Sequence, residues 1–563
     1  MELILRAIER ARETSAHLVV LPEMCLTGYC LDEKLLINRQ FLAENKKRLY
    51  EAIVPACRGV AAVLGFVDFE DDRLGPDGRP IRYNAAAVIQ DAAVRQIVHK
   101  RLLPSYRYFD DKRYFTPGTE VQPVRIDLEE GEIKLGVLIC EDLWDEGYDL
   151  NPCQIFSEKG AEYLVCINAS PFVCSSPGRR DGKRFVRDNL VKAQIRRYGI
   201  PVVSVNTVGI GDNGKNIITF DGFSTAHDRE GNLVANLPMF REDQQLVELN
   251  NGRGSPIQTL GFDREGEIFH ALAMGVRDYY DKIGIFSGVL EAVSGGIDSA
   301  LGTAIAYEAM GPELLTLYNL PSKFNSSVTR EAARQLAENF GLKYRVVPIQ
   351  SMVDRIVSDM EAHLEPLQHS ITLENLQARV RGLVMMAESN DREALLLTNG
   401  NESEIALGYA TLYGDMVGGL AVIGDLPKPD VYRVARYVNR KYESEKIPAE
   451  IFEIPASAEL KEDQIDPFNY EVVGPIVSDY IEKGSSPSDL VQAFTQRRLT
   501  ESKYPDDLYQ EYDSQSFSQL AYDLYTGLNR SVYKRVQAAP IIVVSERAFG
   551  FDLRETIING WKG

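Results

Sequence analysis

From residue 288 onward the chain alternates strand-like and helix-like runs with joins too short for hairpin returns. An apolar run at 288–293 leads through a Gly turn into a helical run at 299–310. A strand-like run follows at 314–320, a helix at 329–340 and another strand at 344–349. Such units close as right-handed crossovers, which places the strands parallel in one sheet with helices packed on it. The second half is therefore expected to be α/β, a doubly wound parallel sheet of Rossmann-like type. Beyond residue 352 helical segments dominate, apart from short apolar runs at 394–397 and 541–544. The first half has another rhythm. Short β-like runs at 17–22, 61–69, 134–140, 163–168 and 201–206 are interleaved with Glu-, Lys- and Arg-rich helical segments, and runs at 223–228 and 232–236 flank Arg229-Glu230-Gly231 as a hairpin. That pattern predicts an α+β sandwich. At 563 residues the chain exceeds what one hydrophobic core serves. The polar, aperiodic stretch 243–262 reads as the join, so domains are expected at 1–245 and 266–563 with a linker at 246–265.

Charge and cysteine usage narrow the class. The formal charge of −20 repels polyphosphate at long range, so nucleic acid is not an expected partner. No apolar run reaches the roughly 18 residues of a membrane helix, so no membrane partner is expected. The opening MELILRAIERAR spaces Leu3, Ile4, Leu5 and Ile8 near helical period, and Glu2, Glu9 and Glu13 break any secretory-signal pattern. Seven cysteines occur: Cys25, Cys30, Cys57, Cys140, Cys153, Cys166 and Cys174. An odd count, irregular spacing and no Cys-x-x-Cys point to a reducing, cytoplasmic setting without disulfides or zinc.

In the second half, Ser294-Gly295-Gly296-Ile297-Asp298-Ser299 follows an apolar strand and opens a helix. A Gly turn there presents backbone N–H groups to an anion at the helix N-terminus. Ser294 and Ser299 add hydroxyl donors. Asp298 beside a phosphate requires an intervening cation, which points to Mg²⁺. The Lys of GxxxxGK[ST] is absent, so this is no P-loop. A Gly-Gly pair alone fits an ordinary turn; the whole hexapeptide in this context favours an anion site. Arg379 and Arg381 stand two apart on a predicted helix, so only one readily faces a given ligand. A short strand then ends in Leu397-Thr398-Asn399-Gly400-Asn401-Glu402-Ser403-Glu404, followed by Thr411-Leu412-Tyr413-Gly414-Asp415-Met416. Ligands of open α/β sheets bind at such strand ends. Glu404 could complete a metal site with Asp298, or merely favour a helix dipole.

In the first half, one strand ends at Glu23, another ends at Cys140, and His99-Lys100-Arg101-Leu102-Leu103-Pro104-Ser105-Tyr106 lies between. A carboxylate base, an ammonium facing an oxyanion and a thiol nucleophile make a hydrolytic set without histidine. Each residue singly fits a structural role; all three in order favour catalysis. No Gly-x-Ser-x-Gly elbow occurs, and of six histidines only His99 adjoins a candidate motif.

The stretches LPEMCLTGY, HKRLLPSYRYFDDKRYF, GVLICEDLW and INASPF resemble the nitrilase superfamily, while VSGGIDSAL, ENLQARVRG, GYATLYGDMVGGLAVIGDLPK and YKRVQAAP resemble NAD⁺ synthetase. Together they resemble the glutamine-dependent NAD⁺ synthetase family over nearly the whole chain. The resemblance implies a nitrilase-like α-β-β-α sandwich followed by a PP-loop ATP pyrophosphatase domain. It implies that Cys140 attacks the glutamine amide with Glu23 as base and Lys100 on the oxyanion. Tyr106, Glu141 and Ser170 would line the glutamine pocket. Ammonia would pass through an internal tunnel to a carboxylate of deamido-NAD⁺ adenylated by ATP. Residues Ser294, Gly295, Gly296, Ile297, Asp298, Ser299, Thr398 and Asn399 would hold ATP, with Asp298 and Glu404 on Mg²⁺. Asn375, Glu404 and Lys534 would contact deamido-NAD⁺, with Asp415 near the reacting centre. A homo-oligomer built on a synthetase-domain dimer is implied as well.

The chain departs from the family pattern in four places. It starts inside the first helix, without the apolar strand the family places before it. Phe109-Asp110-Asp111 stands for Phe-Asp-Glu, an auxiliary carboxylate one methylene shorter. Asn399 replaces a Thr, and Glu402 replaces a Lys. Rival readings are another ammonia-using PP-loop synthetase, or an ammonia-only synthetase with a non-catalytic amidase-like oligomerisation domain. Met1-Glu2 lacks the N-terminal Cys of asparagine synthetase, and no Cys–His–Glu glutaminase of the GMP synthetase kind is present.

Overall fold

The computed structural model describes residues 1–29, 33–75, 78–129, 131–259, 261–367, 369–462, 464–499, 503–550 and 552–557, so Cys30 lies outside the described residues. The chain divides into two compact units. The first comprises Met1–Val173, Arg180–Asn213 and Ile218–Gly261; the second comprises Cys174–Arg179, Gly214–Ile217 and Phe262–Gly563.

The first unit is the expected α-β-β-α sandwich. One sheet has the order β1 (Leu18–Val20), β2 (Ala61–Leu74), β3 (Pro80–Gln90), β4 (Ala93–His99). Only its β1–β2 pair is parallel. The other sheet uses β5 (Val124–Leu128), β6 (Gly131–Ile139), β7 (Tyr163–Asn168), β8 (Val202–Asn206), β11 (Thr225–His227) and β12 (Leu233–Asn236), in the order β12-β11-β8-β7-β6-β5. The strands β9 (Val208–Asp212) and β10 (Asn216–Asp221) intervene in the chain. The inner faces meet through Ala61, Val63, Ala86 and Val88 against Val137, Ile139, Val165 and Ile167. Strands buried on both faces explain the unbroken apolar runs read from the sequence.

Helix Glu2–Glu13 covers one outer face through Ile4, Ile8 and Ala11. Its period puts these on one stripe and leaves Leu3 53% exposed, so only part of the expected apolar set is buried. Full burial of a side chain like Ile8 stabilises the layer by about 1.5–3 kcal/mol. Helices Pro152–Glu158 and Lys183–Tyr198 cover the other face through Phe156, Val191 and Ile195. The predicted hairpin is β11–β12, antiparallel with a bulge at Ala226/His227.

In the second unit, β13 (Val289–Ala292), β14 (Leu315–Asn319), β15 (Lys343–Val346), β16 (Leu395–Thr398), β17 (Leu420–Ala421) and β18 (Ile541–Val543) pair in the order β15-β14-β13-β16-β17-β18. Every pair in this run is parallel. The sequence missed β17, which at two residues is too short to show a period. Asp263 caps helix Arg264–Ile283 by accepting the Gly266 N–H at 2.9 Å. Helix Ile297–Met310 is mostly apolar and correspondingly buried, with Ala300, Leu301, Ala304 and Ile305 fully covered. Among the described residues no helix is long and apolar enough to cross a membrane.

Candidate active sites

In the first unit three strand ends deliver one buried polar cluster. β1 runs into Glu23, β4 into Lys100 and β6 into Cys140. The turn after Glu23 crosses β2 so closely that a Cβ on Gly65 would lie 2.1 Å from the Met24 nitrogen, so only glycine fits there. The Lys100 ammonium donates to Glu23 Oε1 and to Asp111 Oδ2, each at 2.8 Å. Glu23 also accepts from Asn84 Nδ2 and from the Ala169 N–H, both at 2.7 Å. Asp111 accepts from the Tyr29 hydroxyl at 3.0 Å. Glu23, Lys100 and Asp111 are essentially inaccessible to water. Burial alone would lower the Lys100 pKa, but the carboxylates of Asp111 and Glu23 hold it protonated. The shorter carboxylate at 111 therefore still reaches the lysine.

Cys140 opens the short turn Cys140–Leu143 with φ +47°, an uncommon conformation for a non-glycine residue, and is buried. Burial and then the Glu23 charge raise its thiol well above the ordinary value, while the Lys100 charge opposes them. Burial and the Glu23 carboxylate thus favour the protonated thiol at Cys140. His99 is not a partner: its Nε2 pairs with Asp68 at 3.0 Å and its ring stacks on Tyr83 at 3.9 Å between centroids.

The expected glutamine-pocket residues lie in the same unit. Glu141 accepts from the hydroxyls of Tyr106 at 3.0 Å and Tyr148 at 2.9 Å. Burial raises its pKa, against those two hydroxyl donors. Tyr106 is 42% exposed, whereas Glu141 and Ser170 are buried. The Ser170 N–H donates to Asn206 Oδ1 at 2.8 Å, and Arg187 reaches both Ser170 oxygens. Lys183, not anticipated from the sequence, sits 4.0 Å from the Trp144 ring centroid and opposes the rise in the Glu141 pKa. Asn84 was also missed. Its one signal was an amide directly before the apolar Ala85–Ile89 run of β3.

In the second unit a cavity of about 610 Å³ opens at the carboxyl ends of the parallel strands. Ser294, Gly296, Ile297, Asp298, Ser299, Thr398, Asn399, Glu404 and Asp415 line it. Gly295 is not a lining residue; it sits at φ +91°, where a Cβ would meet the Thr329 carbonyl oxygen at 2.0 Å. Ser299 donates to the Gly296 carbonyl at 3.1 Å and accepts the Ser294 N–H at 3.4 Å, which shapes the turn. Asp298 Oδ1 accepts from Asn401 Nδ2 at 2.9 Å. Its Oδ2 accepts from the Lys428 ammonium, which lies 3.5 Å from Glu404 Oε1. Burial and then Asp298 push the Glu404 pKa up to about 8, with Lys428 opposing. Lys428 was not singled out from the sequence, although it ends the GDLPK stretch.

Of the two arginines on helix Ser370–Asp391, Arg381 lines the cavity and Arg379 does not. Burial lowers the Arg381 pKa to about 10. Asp415 accepts the Thr411 N–H at 2.8 Å, and burial raises it to about 6. Asn375 and Lys534 do not line the cavity. Asn375 accepts from the Thr411 hydroxyl at 2.8 Å, and Lys534 donates to the carbonyls of Gly408 and Ala410 at 2.8 and 2.7 Å. Each thus braces the 408–411 segment, whose Tyr409 and Ala410 are wall residues. The Asn399 amide turns down to Glu291 Oε1 at 2.8 Å. Glu402 is buried and accepts from the Ser478 hydroxyl at 3.0 Å.

The family model for carbon-nitrogen hydrolases matches residues 1–256, and that for NAD synthase matches residues 268–511. A glutamine-dependent NAD(+) synthetase of Synechocystis sp. is 33% identical, with 100% of this chain and 94% of the relative covered. The chain belongs to the glutamine-dependent NAD(+) synthetase family. A relative of the same description in Thermotoga maritima is 34% identical over 99% of this chain and 95% of its own length. The solved glutamine-dependent NAD+ synthetase of Acinetobacter baumannii, in complex with adenosine diphosphate, matches with TM-score 0.71 at 29% identity, covering 100% of this chain and 95% of that one. A synthetase structure from Cytophaga hutchinsonii shares the fold, with TM-score 0.77 at 22% identity over 99% of this chain and 94% of that one. Membership makes the chain a carbon–nitrogen ligase of the glutamine-hydrolysing NAD⁺ synthase kind, with ATP as a substrate.

Proposed function

We propose that Cys140, Glu23 and Lys100 release ammonia from glutamine and that the cavity of the second unit uses it to amidate ATP-activated deamido-NAD⁺. Glu23 takes the Cys140 proton as sulfur attacks the amide carbon, and the Lys100 ammonium faces the oxyanion. Collapse expels ammonia, which carries that proton away and leaves a glutamyl thioester. Water, deprotonated by Glu23, then frees glutamate. Tyr106, Glu141 and Ser170 hold the substrate. In the second unit the nicotinate carboxylate attacks the α-phosphorus of ATP and pyrophosphate leaves. Ammonia adds to the acyl carbon and AMP departs.

The turn Ser294–Ser299 with Thr398 and Asn399 holds the nucleotide, and Glu404 with the 408–411 segment that Asn375 and Lys534 brace forms the deamido-NAD⁺ side, with Asp415 near the reacting carbon. Asp298 and Glu404 fit Mg²⁺, since their carboxylates converge on one cationic group, the Lys428 ammonium. Bound there, the ion would neutralise phosphate charge. A buried nucleophilic thiol suits a reducing cytoplasm. The exposed Leu383 and Met386 on helix Ser370–Asp391 support an oligomer built on the second unit.

The observation that carries this function is the Lys100 ammonium locked between two buried carboxylates beside a buried thiol. The test supplies full-length protein with deamido-NAD⁺, ATP and glutamine labelled with ¹⁵N in the amide. The expected product is NAD⁺ labelled in its carboxamide, with AMP and pyrophosphate in equal amount. Unlabelled NAD⁺, or none, would overturn the reading.

A further inference from the structure

The Asp142 carboxylate is 2% exposed and belongs to none of the roles assigned above. It lies two residues beyond the nucleophile, inside the same short turn. Its Oδ1 accepts the N–H groups of Arg101 at 2.9 Å and Leu102 at 2.8 Å, the two residues that follow Lys100. Its Oδ2 accepts the N–H of Ile139 at 3.1 Å, the residue that precedes Cys140. One side chain thus joins the segment carrying the ammonium to the segment carrying the sulfur.

The two segments come from different sheets. Lys100 follows β4 and Cys140 follows β6, and the sheets meet through Ala, Val and Ile side chains. Apolar packing is non-directional and does not by itself set the spacing of groups at a sheet's end. Hydrogen bonds do, and charge-assisted ones to backbone N–H groups are the stronger kind. Glu23 makes a comparable tie from the β1 end to the β7 end through the Ala169 N–H.

We infer that Asp142 is a positioning residue for glutamine hydrolysis, a strut that sets the separation of the Lys100 ammonium and the Cys140 sulfur. This rests on the assignment of those two residues as oxyanion partner and nucleophile. Asp142 touches no reacting atom in this scheme. Its loss leaves two buried N–H groups and one part-buried one without their acceptor and frees the Cys140 turn.

The experiment compares D142A and D142N with the parent in full-length protein, measuring kcat and KM for glutamine and, separately, NAD⁺ formation from ammonium chloride. A misplacement of about 1 Å costs on the order of 100-fold, so D142A is expected to lose about that much glutamine-dependent kcat. D142N keeps one acceptor oxygen in the same shape, and a loss of about 10-fold is expected. KM for glutamine should change much less than kcat, because Ser170 lies outside the two segments that Asp142 joins and only Glu141 shares its turn. Ammonia-dependent synthesis should be unchanged in both.

A folded D142A with kcat within twofold of the parent overturns the proposal, as does a loss confined to KM. If D142A does not fold, D142N decides by the same criteria; if neither folds, the residue is a fold requirement and the positioning role is overturned. C140A run in parallel separates the two claims. Glutamine-dependent activity surviving in C140A defeats the assignment of the nucleophile, whereas a dead C140A beside fully active Asp142 variants defeats only the strut.

Discussion

The proposed glutaminase pocket and the proposed nucleotide cavity handle charge in opposite ways. In the first, Lys100, Glu23 and Asp111 are buried, mutually bonded and complete without a ligand. In the second, Asp298 and Glu404 lean on Lys428 beside a large cavity, and burial drives Glu404 up to about 8 and Arg381 down to about 10. A site for a small amide can be assembled in advance, with its electrostatics fixed before substrate enters. A site for polyphosphate cannot, because the ligand and its cation bring most of the charge. The first site is finished by folding, and the second is finished by binding.

Four measurements break or sharpen that contrast. Cys140→Ala should lower glutamine-dependent NAD⁺ formation on the order of 10⁴-fold or more while ammonia-dependent formation stays at the parent level. Loss of both rates in folded protein would mean that the sites are not chemically separable. Asp298→Asn should reduce both rates alike, on the order of 100-fold, since it removes a charge from the step the two routes share. A full ammonia-dependent rate in that variant would remove Asp298 from the nucleotide site.

Tyr106→Phe deletes a donor to Glu141, and a bond to a charged group is worth about 1.5 kcal/mol, so KM for glutamine should rise about tenfold. An unchanged KM would place the substrate elsewhere.

The last concerns Glu291, buried on β13 with Asn399 and Thr303 as hydrogen-bond partners and raised by burial to about 8. Its folded pKa lies above its unfolded one, so the folded state holds an extra proton between them. Stability from this group is therefore full below about pH 4.5 and falls as pH rises towards 8. Glu291→Gln should flatten that slope and raise the thermal midpoint of the second unit at pH 8, by no more than a few kcal/mol in free energy. Calorimetry at pH 6 and pH 8 reads the difference, and a parallel slope in both proteins would contradict a neutral Glu291.

The two sites differ in how far they were legible beforehand. The turn Ser294–Ser299 is contiguous, so strand end, glycines and helix start all appear in one hexapeptide, between β13 and helix Ile297–Met310. Glu23, Lys100 and Cys140 lie more than a hundred residues apart end to end, and only their common setting at strand ends linked them. Asp111 was visible as a departure from the family pattern, but not as a second partner of Lys100. Asn84, Asp142 and Lys428 were not recognised as site residues, because an amide in an apolar strand, an acid in a turn and a lysine at a helix start each have ordinary structural uses. Asn399 and Asn375 were expected at ligands. The first lines the cavity while its amide donates to Glu291, and the second, which does not line it, braces Thr411.

The sequence by itself determined the two architectures, since hydrophobic period and Gly punctuation are local properties that survive without neighbours. It also determined the chemical kinds of group at each site. Tertiary structure alone decided which carboxylate faces which cation. That pairing depends on the spacing of strand ends from different sheets and on shared burial, and an unpaired charge there would carry a desolvation cost that only the folded arrangement removes.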